Sequence, residues 1–155
     1  MRVVPQLVSP LQLLGEWRLD RRLIDRRTGQ HGTVRGRLVL ASDGTGVRWS
    51  EQGELQWGGA LFPISRELTI VADQLGWQVC FRDGRPFHRW QPGSVVVHPC
   101  RADSYCGLIT VDRSRTRMRV LWDVVGPAKQ QRILTRYQAA IGQAEPDVAP
   151  DRRRG

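Results

Sequence analysis

The sequence predicts an all-β protein: a single antiparallel meander β-barrel of about 8–10 strands, with a short helical turn near the N-terminus. Two observations support this prediction. Apolar and polar residues alternate with a period of two, and turn signals recur about every ten residues. No segment after Pro10–Leu14 has helical periodicity, and an open sheet of this size would expose unpaired edges. Closure into a barrel is therefore favoured.

The first half of the chain divides into strands at glycine-containing turns. Residues 15–24 alternate, with Trp17, Leu19 and Leu23 on one face and charged residues on the other. Turns at Thr28-Gly29 and at 43–46 follow. The apolar faces of the next strands are Val34, Gly36, Leu38 and Leu40; then Val47, Trp49, Leu55 and Trp57; then Phe62, Ile64, Leu68 and Ile70.

The second half contains a hairpin whose register the sequence leaves open. Trp77, Val79 and Phe81 lead into Asp83-Gly84, a strong hairpin signal. A two-residue loop would pair Val79 with His88 and turn the imidazole inward, whereas a three-residue loop with a glycine bulge would pair Val79 with Phe87 and turn His88 outward. The hydrophobicity of Phe87 favours the second alternative. The later strands are expected at 94–100, 105–111, 118–124 and 133–137.

Length and composition indicate one barrel domain with two short flanking segments. The chain has 155 residues, which suits a single core, and we place an N-terminal extension at 1–10, the barrel at 11–141 and a disordered tail at 142–155. No apolar run reaches the roughly 18–20 residues that span a bilayer, so no membrane association is predicted. An odd number of cysteines, three, favours reduced thiols and a cytoplasmic location.

The basic excess does not by itself indicate a partner. The formal charge is +9, from 24 basic and 15 acidic residues, and Lys129 is the only lysine. Arginine used almost exclusively is typical of a GC-rich genome, whereas surfaces that bind nucleic acid usually mix lysine with arginine. The alternating run Arg113, Arg115, Arg117 and Arg119 is interpreted as a solvated outer face. We therefore predict no nucleic-acid partner, and the oligomeric state stays open.

Gly15-Glu16-Trp17 after a short helical turn resembles the signature of the calycin superfamily, which includes the lipocalins and fatty-acid-binding proteins. The resemblance implies that Trp17 packs at the closed end of the barrel beneath a basic residue of the last strand, here Arg136. Segments 15–25, 81–88, 98–105 and 122–129 are similar to a bacterial, lipocalin-like family of unknown function, and the resemblance covers roughly Leu14 to Tyr137. A weaker resemblance links the chain to nitrobindin-like haem barrels, although Leu19 stands where their pattern has a second glycine.

Charged residues on inward faces predict the ligand site. By strand parity Arg21, Glu51 and Arg66 point into the barrel, where the arginines would hold a carboxylate or phosphate. A β-bulge at Gly53 would turn Glu51 outward. The other predicted ligand-binding residues are Trp49, Phe62, Phe81, Phe87, His88, His98, Tyr105 and Trp122. The predicted function is binding of an apolar, anionic small molecule; in the alternative, Arg21, Glu51 and Arg66 form a purely structural salt-bridge network.

The segment 98–106 supports further alternatives. His98 with Asp103 or Tyr105 has the chemistry of an acid–base catalyst, such as a barrel isomerase, cyclase or hydrolase. His98 or His88 would be the axial ligand if the barrel binds haem. The spacing of His98, Cys100 and Cys106 matches no paired zinc pattern, so no metal is predicted. In the simplest alternative, His98 and Asp103 form a local hydrogen bond and the cysteines only pack. The sequence favours a binding protein over an enzyme.

Overall fold

The computed structural model describes residues 4–140, which form ten antiparallel strands and one short 3₁₀ turn at Pro10–Leu13. The strands are β1 (Gly15–Asp25), β2 (His31–Ser42), β3 (Gly46–Trp57), β4 (Ala60–Asp73), β5 (Gly76–Phe81), β6 (Pro86–Arg89), β7 (Val95–Cys100), β8 (Asp103–Val111), β9 (Arg117–Val125) and β10 (Gln130–Ala139). Sequential strands pair, and β1 also pairs with β10. The predicted antiparallel meander barrel is confirmed, and it is nearly closed, because β6 and β7 approach each other without a hydrogen-bonded ladder.

The core follows the period-two alternation of the sequence. In β1, Trp17 and Leu19 are buried while their neighbours are exposed, and β9 buries every second residue from Met118 to Val124. Such alternation places one face of each strand in the barrel and the other in solvent. The register of β3 against β4 runs unbroken from Gly46 to Trp57. No bulge at Gly53 therefore interrupts the parity that turns Glu51 inward.

The N-terminal segment closes one end of the barrel. The indole of Trp17 donates to the Leu13 carbonyl at 2.9 Å, and the indole of Trp90 donates to the Val8 carbonyl at 2.7 Å. The side chain of Gln6 donates to the Val111 carbonyl at 2.7 Å and accepts from the Val111 amide at 3.0 Å. The described part of the predicted extension thus contributes to the barrel's packing. The predicted tail, 142–155, lies outside the described residues.

The position of Arg136 differs from what the calycin resemblance implied. Arg136 is exposed and lies opposite Asp20 on the outside of β1, whereas Trp17 is buried and lies opposite Ala139. Residues of opposite parity on one strand point to opposite faces, so Arg136 does not cover Trp17. The expected stacking of guanidinium on indole was wrong.

The β5–β6 hairpin combines the two alternatives left open by the sequence. The Gly84 amide donates to the Phe81 carbonyl, the Phe81 amide donates to the Arg85 carbonyl, and Gly84 has φ +89°, as in a three-residue loop. Cys80 then pairs with Pro86 but Val79 pairs with His88, so Phe87 is an extra residue in the strand. Such a bulge turns consecutive side chains toward the same side. The expectation that only one of Phe87 and His88 faces inward was wrong.

No helix in the described part of the chain is long and apolar enough to cross a membrane.

Candidate functional site

A broad depression opens at the end of the barrel opposite the N-terminal segment. It lies between the turns at 82–85 and 101–102, which a meander places at the same end because alternate turns share an end. Its volume is about 1250 Å³. Arg66, Phe81, Phe87, His98 and Tyr105 line its inner part, and all five were predicted from the sequence as ligand-binding residues.

Six rings form a continuous cluster beneath this depression. Phe87 stacks on Phe81 at 4.5 Å between ring centroids and on Trp122 at 5.2 Å. The imidazole of His98 contacts Phe87 edge-on at 5.1 Å and lies 6.2 Å from Tyr105. His88 packs edge-on against Phe87 at 4.6 Å. The extra residue in β6 makes this possible, because it lets Phe87 and His88 enter the cluster together.

A buried ion cluster lies deeper in the barrel, centred on the carboxylate of Glu51. Its Oε1 accepts from the indole of Trp49 at 2.9 Å, the hydroxyl of Tyr137 at 2.5 Å and the guanidinium of Arg66 at 3.0 Å. Its Oε2 accepts from Arg21 at 2.8 Å. Glu51 is only 1% exposed, so these donors replace its hydration shell. Arg21, Glu51 and Arg66 thus form the internal salt-bridge network that was one of the two alternatives.

The cluster determines the ionisation of Glu51. Burial alone would raise the pKa of this carboxyl, but Arg66 and Arg21, with the Tyr137 hydroxyl, outweigh it and lower the pKa from 4.5 to about 2. Burial also raises the pKa of Tyr137, and the neighbouring carboxylate adds to this effect. Glu51 is therefore charged and Tyr137 neutral at physiological pH.

This pKa predicts acid sensitivity. Because the folded pKa of Glu51 lies below its unfolded value, its contribution to stability is complete above about pH 5 and is lost as pH falls toward 2, by about 3 kcal/mol in total. We expect the unfolding free energy of wild type to fall over this window, and that of Glu51→Gln to fall by about 3 kcal/mol less. Urea titrations at a series of pH values measure the difference. Parallel pH profiles for the two proteins would contradict the assignment.

His88 is held in one neutral form at the base of the ring cluster. Burial lowers its pKa, and the charge of Arg66 and the nearby His98 add to that effect. Its Nδ1 lies 2.8 Å from the Arg89 carbonyl, and because a carbonyl only accepts, Nδ1 carries the proton. Nε2 is then the nitrogen with the free electron pair.

The centre of the barrel is filled by side chains. The cavity between Arg66, His88 and Trp122 measures about 20 Å³, which is room for about one water molecule. This cavity is too small for a haem coordinated by His88, because it has room for only about one water molecule and because Phe87 stacks directly on Trp122. The imidazole of His98 is itself packed edge-on against Phe81 and Phe87.

The candidate catalytic residues are only partly brought together. His98 lies opposite Tyr105 in the β7–β8 register, but the carboxylate of Asp103 lies 3.4 Å from the ammonium of Lys129. Asp103 makes this ion pair in place of the expected local hydrogen bond with His98. Cys106 is exposed, on the strand face opposite to that of Tyr105. Within residues 4–140 no group of His, Cys, Asp and Glu side chains is arranged to hold a metal ion.

The remaining predicted residues lie in the ring cluster, in the buried ion cluster or outside both. Arg21, Trp49 and Glu51 belong to the buried ion cluster, and Phe62 is 47% exposed and lies outside both sites. Sequence reasoning missed Tyr137, although its parity with Thr135 in β10 placed it on an inward face. It also missed the rim of the depression, where Arg82, Arg85 and Arg101 lie in or beside turns and have no strand parity to assign them.

Fold and site together define a class of protein: an antiparallel meander β-barrel with a filled core and an arginine-rimmed aromatic depression at one end. The chain belongs to the family of unknown function DUF6314, whose family model matches residues 13–139. That span begins in the turn before β1 and ends at the last residue of β10, so it covers the entire barrel. Among curated proteins, none matches the chain.

Proposed function

We propose that the barrel binds a small organic anion with a flat apolar body in the depression at its open end. The observation that carries the proposal is the state of Arg66. Its Nε is the one buried side-chain polar atom within residues 4–140 that has no hydrogen-bond partner. Arg66 lines both the depression and the water-sized cavity below it. A buried N–H without a partner is costly, and a ligand oxygen or an ordered water would satisfy it.

The charge balance around Arg66 favours an anion. Arg21 and Arg66 carry two positive charges and Glu51 carries one negative charge, so the cluster retains one positive charge (2 − 1). Arg82, Arg85 and Arg101 surround the depression together with only two acids, Glu67 and Asp83. An arginine guanidinium also offers two parallel donors to a carboxylate or phosphate. The ligand class that fits is a carboxylate, sulfonate or phosphate.

The ring cluster supports an apolar, planar body for the same ligand. Phe81, Phe87 and Tyr105 present aromatic surface to the depression, with Trp122 beneath Phe87. Aromatic faces bind flat apolar groups through offset stacking and through burial of area. The charged end of the ligand would lie at Arg66 and its body would lie on the rings.

Kinship with the calycins agrees with this proposal. The 3₁₀ turn before Gly15, the buried Trp17 and the meander order support it. The outward Arg136 departs from the calycin pattern.

The experiment uses 8-anilinonaphthalene-1-sulfonate, an aromatic anion with a planar naphthalene ring, as probe, and N-phenyl-1-naphthylamine as its uncharged counterpart. Arg66→Gln should weaken binding of the sulfonate about 10- to 100-fold, because it removes a charge-assisted contact of about 1.5–3 kcal/mol. Binding of the uncharged amine should change little. Both affinities are measured by fluorescence titration on variants whose thermal unfolding shows that they are folded.

Arg48→Gln is the matched control, because Arg48 is an exposed residue of the adjacent strand that pairs weakly with Glu67 at 3.7 Å. It removes the same charge outside the depression and should leave both affinities unchanged. If Arg66→Gln and Arg48→Gln bind the sulfonate equally well, or if wild type binds the uncharged amine as tightly as the sulfonate, the anion proposal fails.

A further inference from the structure

A second basic feature lies on the outside of the barrel, on the outward faces of β4, β3, β2, β1, β10 and β9. Two adjoining grooves of about 510 and 380 Å³ share Asp20 and Arg136 and form one depression, which we call the outer groove. Its exposed arginines come from four strands: Arg18, Arg22, Arg35, Arg117, Arg119 and Arg136. The acids lining it are Asp20 and Glu54, so its charge is 6 − 2 = +4.

The strand register places like charges opposite each other in and beside this groove. Arg136 of β10 lies directly opposite Arg119 of β9, and Arg18 of β1 lies directly opposite Arg37 of β2. Like charges at paired positions destabilise a sheet. Opposite charges also face each other in the groove: Asp20 lies directly opposite both Arg35 and Arg136, and its exposed ion pair with Arg35 is 3.9 Å long. A preference for arginine over lysine does not by itself place one guanidinium opposite another.

We propose that the outer groove binds the phosphate backbone of a nucleic-acid duplex without reading its sequence. Charge complementarity carries the proposal. Arg119 and Arg136 are opposed on neighbouring strands, which lie about 4.8 Å apart, and Arg117 and Arg119 are alternate residues of β9, about 6.7 Å apart, so this part of the groove presents three neighbouring guanidinium groups to phosphates. Each guanidinium neutralises one phosphate and releases counterions.

The residues that line the groove favour a duplex over single-stranded nucleic acid and over a lipid surface. Within the described residues, no Phe, Trp or Tyr side chain projects from the outward faces of β1, β2, β9 and β10. Bases of a single strand therefore find no stacking platform there. Lipid surfaces are usually engaged through several exposed aromatic or aliphatic anchors. Among the described residues that line the groove, Leu61 is the one large apolar side chain that is well exposed, against six exposed arginines. The sequence alone predicted no nucleic-acid partner; the register adds the clustering that sequence does not reveal.

The test is fluorescence anisotropy of the full chain with a labelled DNA duplex of arbitrary sequence, between about 50 and 200 mM salt. Wild type should bind with an affinity that falls steeply with salt. The double variant Arg119→Gln/Arg136→Gln should weaken binding roughly tenfold or more and reduce the slope of log K against log salt by about 2, one per lost phosphate contact. Its melting temperature should change little, because the variant removes both the like-charge pair of Arg119 with Arg136 and the opposite-charge pair of Arg136 with Asp20.

The control Arg26→Gln/Arg48→Gln removes the same net charge at exposed positions outside the outer groove. It should leave affinity within about twofold of wild type and keep the salt slope. Equal losses in the two double variants would show that net charge alone is responsible and would overturn the proposal. The proposal would also be overturned if wild type did not bind the duplex, or if it bound phosphatidylserine vesicles and not the duplex.

Discussion

Replacing Glu51 by leucine is expected to destabilise the barrel by about 3–5 kcal/mol, a large part of the about 5–15 kcal/mol that holds a typical domain folded. The carboxylate is the common acceptor for Trp49, Tyr137 and two guanidinium groups. Removing it leaves the Arg21 side chain, which is 10% exposed, without its counter-ion. An unpaired buried charge destabilises the folded state by more free energy than burial of the leucine side chain contributes. The midpoint of urea unfolding should fall by more than about 1 M.

Two further variants test the cause. In Arg21→Met/Glu51→Leu, both buried charges of this pair are replaced by apolar groups, and much of the lost stability should return. Glu67→Gln removes a partly exposed carboxylate that pairs with Arg48 and Arg82 at 3.7 and 3.5 Å, and should cost no more than about 1 kcal/mol. If Glu51→Leu is as harmless as Glu67→Gln, the ion cluster does not support the barrel.

Gly36→Ala is expected to destabilise the protein by about 3 kcal/mol. In most strands the same substitution stabilises the protein by about 0.5–1 kcal/mol, because alanine loses less conformational freedom on folding than glycine. A methyl group on Gly36 would lie 2.0 Å from the Gln52 carbonyl oxygen and 2.6 Å from Cα of Gly53. Both obstacles are backbone atoms, so no side-chain rotation relieves the clash. The two glycines face each other across β2 and β3, where the backbones approach closely.

Gly44→Ala is the control for this substitution. Gly44 has φ +87° and open space around it. Alanine there should destabilise the protein by only about 1 kcal/mol, because a residue with a Cβ atom disfavours a positive φ but meets no neighbouring atom. Chemical denaturation of both variants measures the difference. A Gly36→Ala protein that is as stable as wild type would contradict the close approach of β2 and β3.

Because the core is filled by side chains, the inward-facing charged residues bind mainly to one another. The sequence offered two interpretations of Arg21, Glu51 and Arg66, a ligand anchor or an internal salt-bridge network. The network exists, and its outermost member, Arg66, also borders the open depression. Under our proposal Glu51 holds Arg66 in place from below, so the same carboxylate stabilises the fold and positions the ligand anchor. Loss of Glu51 should therefore weaken sulfonate binding as well as stability.

Alternation along the chain was sufficient to predict the all-β class, the approximate strand positions and the inward faces of Arg21, Glu51 and Arg66. This succeeds because side-chain direction in a strand follows residue parity, and parity is visible in the sequence. It succeeds best where register is continuous, as in the pairing of β3 with β4.

Only the tertiary structure decided the arrangement at the β5–β6 hairpin, at Arg136 and in the outer groove. The bulge at Phe87 shifts parity within one strand, so the inward position of both Phe87 and His88 depends on a backbone irregularity that composition does not mark. The opposition of Arg119 and Arg136 depends on which strands become neighbours and at what offset. Parity is a local property of the chain, whereas register and barrel closure arise from contacts between residues far apart in sequence, and those contacts determine which charges meet.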